Sequence, residues 1–114
     1  MILYWYPKCS TCQKAYRFLK EKNLSFDTYD FVLSPLSKEK IHEYIEKSGL
    51  DISRFFNTSG MKYRELKLKE KLPNMSYEEK IHLLSSDGML LKRPILVTKD
   101  KVLVGFRKKE WIHL

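Results

Sequence analysis

The sequence predicts an α/β protein in which one sheet is flanked by helices. Its patterns run in the order strand, helix, strand, then a block of helices, then two strands and a last helix. A chain of 114 residues is long enough for one domain with a hydrophobic core and too short for two, so strands near both ends share one sheet. We therefore expect a single domain over residues 1–114, with a helical insert at about 37–88 between the second and third strands.

The chain begins with a strand, a helix and a second strand. Apolar and aromatic residues predict the first strand at about Ile2–Tyr6, and helical spacing predicts the helix from about Ser10 to Lys22. Asn23 is a stop signal for that helix, and the second strand follows at about Ser25–Phe31. A crossover of this length indicates that the two strands are parallel.

Capping patterns place the longer helices of the insert. Ser37 caps the first of them, at about Lys38–Lys47. The stretch Ser76-Tyr77-Glu78-Glu79 has the form of a capping box and starts the last of them. Two shorter stretches between these helices are also expected to be helical: 51–56 and 61–71.

The end of the chain predicts a hairpin and a short helix. Arg93-Pro94 leads into a strand at Ile95–Thr98, and Lys99-Asp100-Lys101 forms a turn. The partner strand is expected at Val102–Phe106, and the last helix at Arg107–His113.

The composition favours anionic partners. The chain has 22 Lys and Arg residues against 14 Asp and Glu residues, a net charge of +8, which attracts small oxyanions, acidic thiols or acidic protein surfaces. Because the basic residues are scattered among acidic ones and no nucleic-acid-binding motif is present, a solvated basic face is favoured over direct nucleic-acid binding.

No apolar run reaches the roughly 20 residues of a membrane span, and the N-terminus lacks a signal-peptide pattern. We therefore expect a cytoplasmic protein with no membrane partner.

The stretch Tyr6-Pro7-Lys8-Cys9-Ser10-Thr11-Cys12-Gln13 places two cysteines where the first strand ends and the first helix begins. The partial positive charge and free N–H groups of a helix N-terminus favour a thiolate, so we expect Cys9 to have a lowered pKa and to be the more reactive sulfur. Cys12, one turn into the helix, would lie beneath Cys9 and could close a disulfide with it. Ser10 and Gln13 fit the S-x-x-Q form of a capping box that would start this helix.

The cysteine pair has two other interpretations. In one it is a buried pair of small residues without chemistry, although its position and spacing favour redox function in a reducing cytoplasm. In the other it binds zinc, which requires two more ligands. No metal site is expected, because the histidines are single and far apart in the sequence: His42, His82 and His113.

Several features together resemble the arsenate reductase (ArsC)/Spx family. They are Tyr6–Cys12, the helical insert, Asn57-Thr58-Ser59-Gly60 and the stretch Leu91–Val97 that contains Arg93-Pro94. The resemblance covers nearly the whole chain. It implies a thioredoxin-like fold, that is, a mixed four-stranded sheet flanked by helices, with an ArsC-type helical insert between strands 2 and 3.

The resemblance also implies that Cys9 is the nucleophile and that arginines hold an oxyanion beside it. Arg93, directly before the proline, matches one of three arginines in glutathione-coupled arsenate reductases, and Arg107 falls close to another; the alternative for both is a solvated surface arginine. The remaining arginine has no clear counterpart, because Asn57 stands there. Those reductases usually lack the second cysteine of the C-x-x-C motif. In this chain Cys12 fills that position, and Spx also has a cysteine there. Both differences count against arsenate as the substrate and leave thiol redox chemistry intact.

Ser10, Thr11 and Pro94 complete the candidate site residues. Ser10 and Thr11 could offer N–H groups and hydroxyls to an anion at the helix start, and Ser10 could serve only as a cap. In thioredoxin-like folds a cis-proline lies beside the C-x-x-C motif, and Pro94 matches that position. A trans proline at the first residue of a strand is the alternative that the sequence allows.

Two functions follow from these features. The first is a thiol–disulfide oxidoreductase in which Cys9 attacks a disulfide, or an oxyanion such as arsenate, and Cys12, glutathione or another thiol resolves the intermediate. It needs no bound cofactor; its partners are a small thiol or oxyanion and a reductant such as glutaredoxin or thioredoxin. The alternative, implied by the resemblance to Spx, is a redox-sensing transcriptional regulator that binds the RNA polymerase alpha subunit.

Overall fold

Four strands form one mixed sheet in the computed structural model, which describes residues 1–114. The interior strand β1 (Ile2–Trp5) pairs in parallel with β2 (Asp27–Asp30), which forms one edge of the sheet. On its other side β1 pairs antiparallel with β3 (Ile95–Val97), and β3 pairs antiparallel with β4 (Val102–Val104). The order β2-β1-β3-β4 confirms the predicted parallel pair and hairpin, while both edge strands are shorter than predicted.

Six helices and three short 3₁₀ segments flank the sheet and build the insert. The helices are α1 (Ser10–Glu21), α2 (Lys38–Ser48), α3 (Met61–Glu65), α4 (Leu68–Lys71), α5 (Tyr77–Ser86) and α6 (Lys108–Trp111). The 3₁₀ segments are Ile52–Phe55, Leu72–Asn74 and Gly88–Leu90. The stretch 61–71 forms two helices rather than one, because Lys67 has a φ of 54° that interrupts the helical backbone. None of the helices combines the length and the apolar character that crossing a bilayer requires.

The strands alternate their side chains between two hydrophobic clusters, one on each face of the sheet. On one face Leu3, Leu96 and Leu103 pack with buried residues of α1 and with Trp111 of α6. On the other face Tyr4 and its neighbours in β3 and β4 pack with the helices of the insert in a cluster of 18 buried residues. The insert is therefore held against the sheet over a broad apolar surface, which places its loops beside the ends of the strands.

α5 begins with the capping box that its sequence predicts. The Ser76 hydroxyl accepts a hydrogen bond from the N–H of Glu79 at 3.1 Å, and the Glu79 carboxylate accepts one from the N–H of Ser76 at 2.9 Å. The two bonds satisfy N–H groups that would otherwise have no partner at the start of the helix.

Replacing Ser76 by alanine is expected to lower the free energy of unfolding by about 1 kcal/mol, because the N–H of Glu79 then loses its acceptor. Urea denaturation followed by circular dichroism measures the change. Ser25→Ala is the matched control, since Ser25 is exposed and lies outside the helices and strands. The control should unfold like the wild type, and equal effects of the two substitutions would contradict the role of the capping box.

Candidate active site

Cys9 is the residue that caps the first turn of α1. Its backbone is extended, with φ −81° and ψ 125°, and its carbonyl accepts the N–H of Gln13 at 3.0 Å, so the helix begins at Ser10. The capping box predicted for Ser10 and Gln13 is wrong: no side chain caps α1, and the Gln13 amide donates instead to the carbonyl of Pro7 at 2.8 Å. Because no side chain competes for the N–H groups of the first turn, they are available to a sulfur or an anion at this position.

The register of the sheet brings Arg93 to Cys9. Tyr4 in β1 lies opposite Ile95 in β3, and the two strands are antiparallel. Continuing this register by two residues along each chain sets Tyr6 opposite Arg93, directly before the turn that carries Cys9. The guanidinium carbon of Arg93 lies 5.4 Å from the centre of the Tyr6 ring, a cation–π contact that helps to orient the arginine.

The guanidinium of Arg93 has unused hydrogen-bond donors. Its Nε and Nη1 atoms are buried and have no hydrogen-bond partner in the chain, so Arg93 is not the solvated surface arginine that the sequence also allowed. A buried donor without an acceptor costs about 1–3 kcal/mol, and a charged one costs more, so binding of an acceptor here is favoured. A carboxylate or an oxyanion matches the planar fork of N–H groups. The Arg93–Pro94 peptide bond is cis, as the resemblance implied.

The two thiols differ in exposure and in acidity. Cys9 is half-buried and Cys12 is fully buried, and both are free thiols. Burial alone would raise the pKa of Cys9, but the backbone N–H and the thiol of Cys12 and the charge of Arg93 stabilise the thiolate, so that this pKa lies below its ordinary value. Burial, reinforced by the neighbouring Cys9 sulfur, raises the pKa of Cys12 to about 12. At neutral pH, Cys9 is therefore the better nucleophile and Cys12 is a protonated thiol beside it.

Cys9 lines a cavity of about 360 Å³ at this end of the sheet. Among the other residues predicted from the sequence, three line the same cavity: Thr11, Arg93 and Arg107. Ser10, Pro94 and the buried Cys12 do not. The remaining lining residues are Asn57, Ser59, Gly60, Lys92, Gly105 and Phe106.

The loop 57–60 forms one wall of the cavity, which local sequence patterns did not indicate. The N–H of Asn57 donates to the carbonyl of Leu90 at 2.8 Å, and the N–H of Lys92 donates to the carbonyl of Phe55 at 2.7 Å. These bonds tie the insert to the segment before Arg93, so that the buried Asn57 and the half-buried Lys92 reach one cavity. The sequence placed Asn57 at the site only through the family resemblance, and its one signal for Lys92 was the adjacent Arg93.

The histidines do not join other potential ligands in a metal-binding group. His42 hydrogen-bonds the Tyr77 hydroxyl through Nδ1 at 2.7 Å, on the side of the insert formed by α2 and α5. No three side chains among His, Cys, Asp and Glu are grouped so that they could hold a metal ion.

Alkylation of Cys9 by iodoacetamide is expected to reach half of its maximal rate at a pH below the ordinary pKa of a cysteine. The half-maximal pH is displaced downwards because the pKa of Cys9 is lowered. Only the thiolate reacts, and a lower pKa leaves more thiolate at neutral pH. In Arg93→Gln the half-maximal pH should rise, because a positive charge beside the thiolate is lost.

Arg107→Gln is the matched control for this titration. Arg107 lines the same cavity but is not among the groups that shift the Cys9 pKa. Its titration should follow that of the wild type, and an unchanged profile in Arg93→Gln would show that Arg93 does not stabilise the thiolate.

Comparison with known proteins identifies the family. The sequence profile of the ArsC family matches residues 4–114. YusI, an uncharacterized protein of Bacillus subtilis (strain 168), is 51% identical over 97% of this chain and 94% of its own length. The global transcriptional regulator Spx of Streptococcus mutans is 30% identical over 95% of this chain and 77% of its own length.

A solved structure shows the same fold. It is that of an ArsC-family-related protein from Bacteroides fragilis, 46% identical in sequence, which superimposes with a TM-score of 0.94 over 98% of this chain and 94% of that chain. The predicted fold class, a thioredoxin-like mixed sheet of four strands flanked by helices, is thereby confirmed. Since the family profile matches almost every residue, the chain belongs to the ArsC family.

Proposed function

We propose that the protein is a thiol–disulfide oxidoreductase that uses Cys9 as its nucleophile. The observation that carries the proposal is the arrangement of three groups: a half-buried thiol of lowered pKa at a helix start, a buried thiol of raised pKa one turn away, and an arginine with two buried donors that have no partner. A thiolate attacks a disulfide, and a second thiol within reach resolves the product. The proposed setting is the reducing cytoplasm, where paired cysteines serve exchange rather than structure.

The proposed reaction has two exchange steps. The Cys9 thiolate attacks one sulfur of the substrate disulfide, the substrate S–S bond breaks, and the departing thiolate takes up a proton. Cys12 then loses its proton and attacks the Cys9 sulfur, which releases the second substrate thiol and leaves a Cys9–Cys12 disulfide. Two electrons have passed to the substrate, and glutathione or another external thiol returns the protein to its dithiol form.

Arg93 has two roles in this proposal. Its charge favours the thiolate form of Cys9, and its Nε and Nη1 donors can bind an acidic group of the substrate. A carboxylate of glutathione meets this requirement, and so does an oxyanion such as arsenate. With arsenate, Cys9 would displace water from arsenic, and attack of Cys12 on the Cys9 sulfur would leave the electron pair on arsenic, giving arsenite and the Cys9–Cys12 disulfide.

Turnover of two substrates tests the proposal. The wild-type protein is incubated with the disulfide of 2-mercaptoethanol or with arsenate, with glutathione as reductant, and glutathione disulfide formation is followed through a coupled assay. We expect turnover of the disulfide above the uncatalysed rate. Turnover of the disulfide without arsenate reduction would limit the substrate class, and turnover of neither would contradict the proposal.

A second candidate function is a redox-sensing regulator of transcription. Two observations favour it: Cys12 completes a C-x-x-C pair, and Spx of Streptococcus mutans is similar over 95% of this chain. In this case closure of the Cys9–Cys12 disulfide would change the binding of the RNA polymerase alpha subunit. A pull-down with the alpha C-terminal domain, using the reduced and the oxidised protein, tests it, and absence of binding in both states would eliminate it.

A further inference from the structure

Unpaired positive charge extends from the Cys9 cavity along the side of β4. Lys92 and Arg107 line both that cavity and a second one of about 160 Å³, which also contains Arg54. Arg54 and Arg107 then line a third cavity of about 410 Å³ beside β4 itself. Because these cavities share wall residues, they adjoin one another, and the three together are called here the β4 groove.

The cations of the β4 groove are available to a ligand. Arg54 and Arg107 are exposed and Lys92 is half-buried, and none of the three forms an ion pair, since both ion pairs of the chain lie on α2. Acidic residues line only the third cavity, where Asp100 and Glu110 are found. Next to Cys9, the charged side chains other than the Cys9 thiolate itself are therefore all cationic.

The second cavity has features that suit a peptide. Its apolar walls are Phe56 and Val104, both buried, and Ser53 and Thr58 add hydroxyl groups beside Arg54. An oxyanion or another small anion at Cys9 would fill the first cavity alone and leave this one empty. An extended chain that leaves the first cavity would lay its next side chains over these walls, at about 3.3 Å per residue.

We propose that the β4 groove binds an acidic peptide segment that adjoins the disulfide of a protein substrate. The proposal deepens the exchange function proposed for Cys9 and rests on it. Asp or Glu side chains near the substrate cysteine pair with Lys92, Arg107 and Arg54, while Cys9 attacks that cysteine's sulfur and the partner thiol leaves with a proton. Cys12 then releases the peptide as a free thiol and forms the disulfide with Cys9, and dithiothreitol restores the dithiol in the assay.

Peptide disulfides of matched sequence test the proposal. Each peptide has one cysteine and forms a symmetrical disulfide. One peptide has two glutamates on the N-terminal side of its cysteine, and another has them on the C-terminal side. In the control peptides, glutamines replace the glutamates. We expect kcat/KM for one of the acidic peptides to exceed that of its glutamine control about tenfold at low salt, since several exposed charge pairs contribute. The preference should diminish in 0.5 M salt, because exposed pairs are screened.

Arg54→Gln separates the groove from the chemistry at Cys9. Arg54 lines the second and third cavities but not the first, so turnover of the 2-mercaptoethanol disulfide should not change. Turnover of the preferred acidic peptide should fall about threefold, as expected for one exposed charge pair. Arg17→Gln is the matched control, because Arg17 is an exposed arginine on α1 outside the groove, and it should leave both rates unchanged.

Three outcomes overturn the proposal. Equal kcat/KM for glutamate and glutamine peptides, with normal turnover of the small disulfide, removes the groove and leaves the exchange function. If Arg54→Gln lowers the turnover of glutathione disulfide as much as that of the acidic peptide, the occupant of the β4 groove is a small anionic thiol. The third outcome concerns binding without exchange, measured by fluorescence anisotropy with the reduced acidic peptide and the Cys9→Ser variant. If this variant binds the acidic peptide and the glutamine peptide with equal affinity, the proposal is contradicted, whether or not the wild-type protein turns over a disulfide.

Discussion

Cys9→Ser is expected to reduce disulfide turnover to the uncatalysed background. A serine hydroxyl cannot form a disulfide, and Cys12 cannot replace Cys9, because it is fully buried and burial, the largest cause that raises its pKa, remains in the variant. Turnover of the 2-mercaptoethanol disulfide measures the loss. The effect is expected to be large because only Cys9 is both partly exposed and lowered in pKa.

Cys12→Ser is the informative partner of this variant. Cys9 can still attack, but the buried thiol that would resolve the mixed disulfide is missing, so a single adduct is expected to accumulate. Mass spectrometry after treatment with glutathione disulfide should show one bound glutathione, located on Cys9. The wild-type protein under the same treatment should instead close the Cys9–Cys12 disulfide. An adduct on Cys12 in Cys9→Ser, or turnover by that variant, would contradict the assignment of the nucleophile.

Gly88→Ala is expected to lower the free energy of unfolding by about 3 kcal/mol or more, the upper range for an overpacked site. A Cβ atom at Gly88 would lie 2.1 Å from the carbonyl oxygen of Phe31 and 2.7 Å from its carbonyl carbon, so the backbone must move. Gly88 begins the 3₁₀ segment that precedes Lys92 and Arg93. Thermal unfolding should show a Tm lower by about 10 °C or more.

Gly49→Ala provides the matched control for this loss. Gly49 caps the end of α2 with a φ of 70°, and no atom lies within 4 Å of the position that its Cβ would take. The same substitution there costs only the strain of the left-handed backbone, about 1–2 kcal/mol. Equal losses at the two glycines would show that close packing against Phe31 is not what Gly88 provides.

The contrast between the two predicted capping boxes shows what a local pattern can determine. At Ser76 and Glu79 all the atoms of the box lie within four residues, and the structure contains it. At Ser10 and Gln13 the pattern is the same, but the helix is capped one residue earlier, at Cys9, which makes Cys12 rather than Gln13 the third helical residue. A shift of one residue at the helix start removes the box, and the sequence does not specify that shift.

The edge strands illustrate a second limit of local patterns. The residues predicted for the second strand span 25–31, and those of the last strand span 102–106, but only Asp27–Asp30 and Val102–Val104 pair with a neighbour. An edge strand has one partner, so its length is set by the residues of that partner that face it. Four residues of β1 and three residues of β3 provide those partners.

The reactive position at Cys9 could be predicted from the sequence alone. The two cysteines, their spacing and the strand-to-helix junction are adjacent in the chain, and the lowered pKa of Cys9 depends largely on the N–H and thiol of Cys12 within the same turn. The sequence also predicted the order of the elements, because periodicity and turn residues act over short distances.

The groups that surround Cys9 come together only in the folded chain. Arg93 reaches it through the antiparallel register of β1 and β3, and the loop 57–60 reaches it because the insert packs on one face of the sheet. Arg54 and Arg107 come from separate segments, and no local pattern indicates that they line one groove. Strand register and the packing of apolar faces act between residues far apart in the chain, so the surroundings of the thiol, unlike the thiol itself, follow from the complete fold.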